Sequence, residues 1–329
     1  MKKLKLGVLG VSNHFIKRIV IPANQLSNVE LVAVASRSKS KANDCAQSFN
    51  IPHAFENYQS LLNSTSIDAV YIPLPNHLHA EWILKAADAG KHVLCEKPLS
   101  MNADEAQYVV EYCQKKGVCL MEAFMYKHHP QWQTALDIIR TNNIGKVNYI
   151  HTSFSYNNPS PTNIRNIKEY GGGGLRDIGC YAISVARFLM RKEPIQVISQ
   201  LNMHSQFETD ALSTAILDFG NSKATFTVST NSSPFQRVDI IGSAGHISIL
   251  LPFNTYSDTS AKINVVTAIG QREILFEPVD QYGLMISHFA DTILNKKPIS
   301  NLEDDAILNQ KVMDAIIKSN KSGHWEATS

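Results

Sequence analysis

Short apolar runs at residues 4–9, 29–35, 67–72, 92–95 and 118–121 alternate with stretches of helical spacing at 39–49, 79–89 and 103–116. The runs are apolar at successive positions rather than at every second one, which is how strands covered on both faces read. Strand–helix alternation of this kind predicts a parallel α/β domain. Pro22 falls inside the helical stretch expected between the first two strands and should shorten or kink it, because it lacks an amide proton and its ring crowds the preceding turn. After about residue 123 the rhythm changes. Residues 146–156, 195–203, 211–219, 223–229, 237–241, 246–250, 262–267 and 272–276 read as successive strands, with helices at 131–140, 175–190, 282–294 and 302–318. That predicts an α+β domain on a largely antiparallel sheet, with the boundary between 1–122 and 123–329 and a last helix able to return to the first domain.

Composition narrows the function. At 329 residues the chain is too long for one ordinary core. Hydrophobic residues at 44% and charged residues at 18% exclude a disordered chain. Lysine and arginine number 31 against 29 acids, a net charge of +2. So small an excess gives no electrostatic footprint for nucleic acid or an anionic membrane. The five cysteines are odd in number, scattered and without a CxxC pair, which argues against a disulfide framework or a zinc site and for a reducing compartment. The basic start is not followed by an apolar signal segment, because Gly7, Gly10, Ser12, Asn13 and His14 interrupt it, so a cytoplasmic protein is expected.

Three segments carry candidate chemistry. The first, Gly7-Val8-Leu9-Gly10-Val11-Ser12-Asn13-His14-Phe15, closes the first strand and opens the first helix, where dinucleotide folds place a glycine-rich turn against a pyrophosphate. With Gly10 as the first glycine of G-x-G-x-x-G, Ser12 and Phe15 stand at the other two positions, so the motif alone reads equally as a generic turn. Its place in the alternating pattern favours a cofactor, with Gly10, Ser12, Asn13 and His14 as contacts. The second strand ends in Ala35-Ser36-Arg37-Ser38, without the acid that usually holds a ribose 2′-hydroxyl. Ser36, Arg37 and Lys41 suit a 2′-phosphate, which favours NADP and leaves NAD open; a merely solvated basic helix start is the alternative.

The second segment comprises the loops after the third and fourth strands, 67–72 and 92–95. Pro73, Leu74, Asn76 and His79 in one, and Glu96 and Lys97 in the other, lie at strand carboxyl ends, where ligands bind in such sheets. The pairs His77/His79 and His128/His129 lack metal-ligand spacing, so no metal is expected. The third runs Gly171-Gly172-Gly173-Gly174-Leu175-Arg176-Asp177, with Tyr181 four residues on. On a continuous helix Asp177 and Tyr181 share a face and, with Lys97, would make a proton-transfer set. Taken alone, an aspartate complementing the helix dipole and a packed tyrosine explain the same residues.

Together, the Gly10 turn, Glu96-Lys97-Pro98 and the glycine-rich Asp177-x-x-x-Tyr181 resemble the glucose-fructose oxidoreductase/inositol dehydrogenase (Gfo/Idh/MocA) family. Residues 122–131 and 282–289 extend the match, which covers nearly the whole chain. The resemblance implies a Rossmann domain over 1–122. It implies that 123–329 form a substrate-binding and oligomerisation domain whose large open sheet serves a homodimer or homotetramer. It also implies hydride transfer between a nicotinamide and a sugar, polyol or related carbonyl compound. Tyr181, where many relatives carry histidine, places the chain nearer the NADP-dependent xylose dehydrogenase, dihydrodiol dehydrogenase and deoxysugar ketoreductase branches.

On this reading Tyr181 exchanges the proton while hydride moves at the same carbon. A free phenol titrates near ~10, so Lys97 and the cationic nicotinamide should lower it. Asp177 would orient Lys97 or a substrate hydroxyl. Arg165 is a further cofactor or substrate contact, and Tyr282 another by resemblance alone. Two rivals stand: a catalytically silent nucleotide sensor, and a redox-neutral enzyme that retains its cofactor.

Overall fold

The computed structural model describes residues 2–297 and 300–329, the side chains of 300–304 excepted. Six strands form the first sheet: β1 Leu4–Leu9, β2 Val29–Ala35, β3 His53–Phe55, β4 Ala69–Ile72, β5 His92–Cys95 and β6 Leu120–Glu122. All pair in parallel, in the order β3-β2-β1-β4-β5-β6. This is the doubly wound Rossmann order, in which the strand sequence reverses beside β1 and opens a crevice at the carboxyl ends. The connecting helices are α1 Asn13–Arg18, α2 Val20–Gln25, α3 Lys39–Phe49, α4 Tyr58–Leu62, α5 His79–Asp88 and α6 Ala103–Lys116. The first helical stretch is broken at Ile19, as Pro22 demands: its ring would strike the carbonyl four residues back, at Arg18.

The second sheet has nine strands: β7 Val147–Asn157, β8 Gln196–Met203, β9 Asp210–Asp218, β10 Lys223–Ser229, β11 Asn231–Gly242, β12 Gly245–Ile249, β13 Ala261–Thr267, β14 Gly270–Phe276 and β15 Glu326–Ala327. The order is β14-β13-β12-β11-β7-β10-β9-β8-β15, antiparallel throughout except for β10 beside β7. Ile150, Thr152 and Phe154 of β7 face a buried side, as do Ala224, Phe226 and Val228 of β10. Its helices are α7 Pro130–Arg140 and α8 Cys180–Met190. A five-residue π-helical turn, Leu175–Gly179, runs into α8, so the segment expected as one α-helix over 175–190 changes pitch just before Tyr181.

The remaining helices are α9 Gln281–Leu294 and α10 Ser300–Ser322. The chain divides into two compact units, Met1–Met125 with Tyr282–Ile307 and Tyr126–Gln281 with Leu308–Ser329. The partition is therefore not the contiguous 1–122 and 123–329. Within the first unit the Asn28 amide meets the Ser287 carbonyl and hydroxyl and the Asp291 carboxylate at 2.8–3.1 Å, and Met285, Ile286, Phe289 and Ala290 of α9 are wholly buried. The later part of α10 belongs to the second unit, where Ser319 and Asn320 accept backbone N–H groups of β8. No helix among the described residues is long and apolar enough to cross a membrane.

Candidate functional site

In the first unit the loops after β1, β4 and β5 meet. Gly10 has φ +120°, a conformation that L side chains resist, and its N–H bonds the Ala35 carbonyl at 2.9 Å. A Cβ there would stand 3.1 Å from Leu74 Cδ2, so the turn packs directly beneath the loop after β4. Ser12 caps α1 by accepting the Phe15 N–H at 3.0 Å, and the Phe15 ring is taken wholly into the core. Its bulk at the third motif position is thus accommodated by burial, on a helix only six residues long. Asn13 is exposed at the head of that helix.

His14 follows, its Nε2 3.3 Å from Glu96 Oε1, with its ring edge-on to Tyr282 at 5.5 Å. Tyr71, fully buried on β4, donates its hydroxyl to the same Glu96 oxygen at 2.7 Å. Burial would raise the Glu96 carboxyl, but the charge and hydrogen bonding of His14, then Lys97 and Tyr71, outweigh it and hold the group down to about 2. Glu96 is thus a largely buried anion that organises its neighbours. Lys97 follows it and joins Pro98 through a cis peptide bond. Leu99 N–H is held by Glu122 at 2.7 Å.

At the end of β2, Ser36 is buried and its hydroxyl accepts the Ser38 N–H at 3.2 Å, leaving its own proton to donate. Arg37 lies beside the Tyr58 hydroxyl: burial raises that phenol, and the guanidinium works in the opposite direction. Lys41 is exposed on α3, and Pro73 and Asn76 border the loop that carries Leu74. His79 departs from its expected role as a cofactor contact. Its ring is fully buried, with Nδ1 2.9 Å from the Pro98 carbonyl oxygen and Nε2 2.8 Å from that of Leu74, so both nitrogens face the protein's own backbone. Burial lowers its pKa, against the two carbonyls and Glu96.

In the second unit Asp177 sits in the π-turn with both carboxylate oxygens engaged. Arg165 Nε approaches Oδ1 at 2.9 Å, and the Tyr156 hydroxyl donates to Oδ2 at 2.5 Å. Arg165, expected as a cofactor or substrate contact, pairs through its Nε with Asp177. Burial, then Asp177, drive the Tyr156 phenol far above its ordinary pKa, so it keeps its proton and acts as a donor. The Tyr181 ring is buried among Tyr126, Phe154 and Phe253, at centroid distances of 5.2–5.9 Å.

The glycine run serves this assembly from within. A Cβ on Gly172 would fall 2.4 Å from the Arg165 carbonyl oxygen, and one on Gly173, at φ +119°, 2.0 Å from Asp210 Oδ1. Buried Asp210 accepts the Leu175 N–H and the Ser213 hydroxyl, each at 2.6 Å, and so anchors the start of the π-turn. Tyr156 also borders a cavity of about 470 Å³ walled by Phe154, Phe235 and Tyr256 with Gln236, Arg237 and Asn254. Tyr71, Tyr156 and Asp210 escaped the sequence reading. The phenol of Tyr71 within an otherwise apolar strand was its one visible signal.

Residues 4–124 match the family described as "Oxidoreductase family, NAD-binding Rossmann fold" (GFO_IDH_MocA), and 132–248 match the "GFO/IDH/MocA C-terminal domain". The chain is 34% identical over 332 residues to the uncharacterized oxidoreductase ORF334 of Rhizobium meliloti, covering 99% of each. It is 33% identical over 322 residues to D-xylose 1-dehydrogenase (NADP(+)) 2 of Haloferax volcanii, covering 97% of this chain and 98% of that one. Among solved structures, KijD10, a 3-ketoreductase from Actinomadura kijaniata in complex with NADP and TDP-benzene, superposes with a TM-score of 0.91 at 27% identity, over 97% of this chain and 98% of that one.

Proposed function

The chain belongs to the GFO/IDH/MocA oxidoreductase family, and on that premise we propose that it transfers a hydride between NADP(H) and a sugar, polyol or related carbonyl compound. The observation that carries this reading is the meeting of three strand ends around Gly10: Leu74 over the turn, and His14 at the head of α1 against Glu96 of the loop after β5. The residues fit the nucleotide. Gly10 gives the turn a positive φ that a side chain would resist, and Ser36 and Arg37 offer a hydroxyl and a cation where no acid stands. The xylose dehydrogenase relative is NADP-dependent and KijD10 was solved with NADP, which favours the same cofactor here.

The nicotinamide supplies the hydride donor or acceptor. Tyr181 moves the proton at its hydroxyl oxygen, and Lys97 Nζ holds the reacting substrate oxygen and favours its anionic form. Asp177 is a fixed anion whose oxygens are already bonded, suited to orienting rather than to proton transfer. The aromatic walls and amide and guanidinium groups beside Tyr156 have the chemistry that holds a hydroxylated ring.

The test is fluorescence titration with NADPH and NADH on wild type and Arg37→Ala, followed by a turnover panel including D-xylose, other sugars, polyols and dicarbonyls. Arg37→Ala should weaken NADPH selectively. Tyr181→Phe should lower turnover by about 100-fold or more with NADPH affinity kept. A wild type that binds neither nucleotide, or a Tyr181→Phe enzyme of equal turnover, overturns the reading.

The second sheet suggests an assembly. Its outer face presents Tyr149, Leu212 and Ile216 with 37–46% of their surface exposed, alternating with the buried positions of the same strands. A second copy of the chain is the expected cover, as a homodimer or homotetramer. Light scattering should give a dimer or tetramer mass that Ile216→Lys reduces; a monomeric wild type would refute it.

A further inference from the structure

His79 opens α5 with its ring wholly buried. A buried polar ring is tolerated when its nitrogens find partners, and here both face carbonyl oxygens of different loops, Leu74 after β4 and Pro98 after β5. Neither loop is a neutral bystander. The Leu74 side chain lies over the Gly10 turn. Pro98 follows Lys97 directly, in a stretch already tied on either side by Tyr71 to Glu96 and by Glu122 to Leu99. The ring thus stands between the cover of the nucleotide cradle and the backbone of the candidate ammonium.

We propose that His79 is a positioning residue with two separable struts: Nε2 fixes Leu74 over the Gly10 turn and governs nucleotide affinity, while Nδ1 fixes the Lys97–Pro98 loop and governs turnover. A ring with one proton donates to one carbonyl at a time, and a ring with two donates to both. The struts can be separated by restoring one donor. An asparagine amide reaches about where Nδ1 stands, and a glutamine amide about where Nε2 stands.

The proposal rests on the hydride-transfer reading for its two readouts, so wild type and Lys97→Met are measured beside the His79 variants with the best substrate of the panel. His79→Gln should keep its NADPH Kd within about threefold and lose about tenfold or more in kcat. His79→Asn should do the reverse, binding NADPH about tenfold more weakly with kcat at saturating nucleotide largely kept. His79→Ala should lose both. A general structural role moves both parameters in parallel in Asn and Gln, and that result, or no loss in either, overturns the struts while leaving the reaction intact. A wild type without NADPH affinity, or a Lys97→Met variant of unchanged turnover, instead condemns the hydride-transfer reading.

Discussion

Replacing Gly173 with alanine probes the entry to the π-turn that carries Asp177. At φ +119° an L residue is strained by about 1–3 kcal/mol. The new methyl would also stand 2.0 Å from Asp210 Oδ1, so the carboxylate must move. That carboxylate receives the buried Leu175 N–H and the Ser213 hydroxyl at 2.6 Å each, and stripping a buried donor of its partner costs about 1–3 kcal/mol. The combined loss is about 2–6 kcal/mol, a fall in melting temperature of roughly 4–24 °C for a unit of this size. Gly220→Ala is the control: it too has a left-handed φ of +79°, but the added methyl meets nothing nearer than Ile195 Cδ1 at 3.6 Å. It should cost only the backbone strain, about 1–2 kcal/mol. Thermal unfolding followed by circular dichroism, with turnover measured well below the transition, compares the two. Equal destabilisation in both variants would refute the claim that Asp210 and the glycine are fitted to one another.

Glu96→Gln carries a pH signature. The carboxyl is lowered from 4.5 to about 2 in the folded state, so its contribution is complete above 4.5 and drains away as pH falls toward 2. In urea melts the wild type should lead by on the order of 3 kcal/mol at neutral pH and by progressively less below pH 4.5; a gap independent of pH would show that the ionised carboxylate is not the source. Tyr156→Phe removes the phenol donor from Asp177. It should cost about 1–3 kcal/mol of stability and lower kcat with NADPH affinity unchanged; a shift in nucleotide affinity alone would place Tyr156 elsewhere in the reaction.

The parallel sheet was legible because strands such as β1, β2 and β4 are buried on both sides and therefore apolar at successive positions. β3 was not, since His53, Ala54 and Phe55 form a short, largely exposed edge with no periodic signal. Nor was the start of β11, where the register shifts between Asn231 and Phe235 and the alternation lapses. The Gly10 turn could be read from the sequence because its chemistry is local. Arg165 and Asp177 could be seen separately but not as a pair, and Tyr156 not at all, since their association depends on tertiary placement. His79 misled for the complementary reason: Asn76-His77-Leu78-His79 looks like a run of ligand donors, and only burial shows that the last ring faces inward.

The glycine run carries the more general lesson about site and scaffold. Glycines before a candidate catalytic helix invite the reading that the backbone approaches a ligand. Here the space that a Cβ would need at Gly172 and Gly173 is already filled by the Arg165 carbonyl and the Asp210 carboxylate. The first holds the backbone of the residue whose guanidinium pairs with Asp177, and the second holds the N–H that begins the π-turn. Glycine is required so that the chain can pack against itself tightly enough to fix a carboxylate from both sides. The change of pitch that follows sets Tyr181 apart from the i, i+4 face an unbroken α-helix would give it. Asp177 and Tyr181 are thus positioned by different neighbours, one by an ion pair and a phenol, the other by an aromatic cluster. Loss of Tyr156 should therefore disturb the carboxylate without moving the Tyr181 ring.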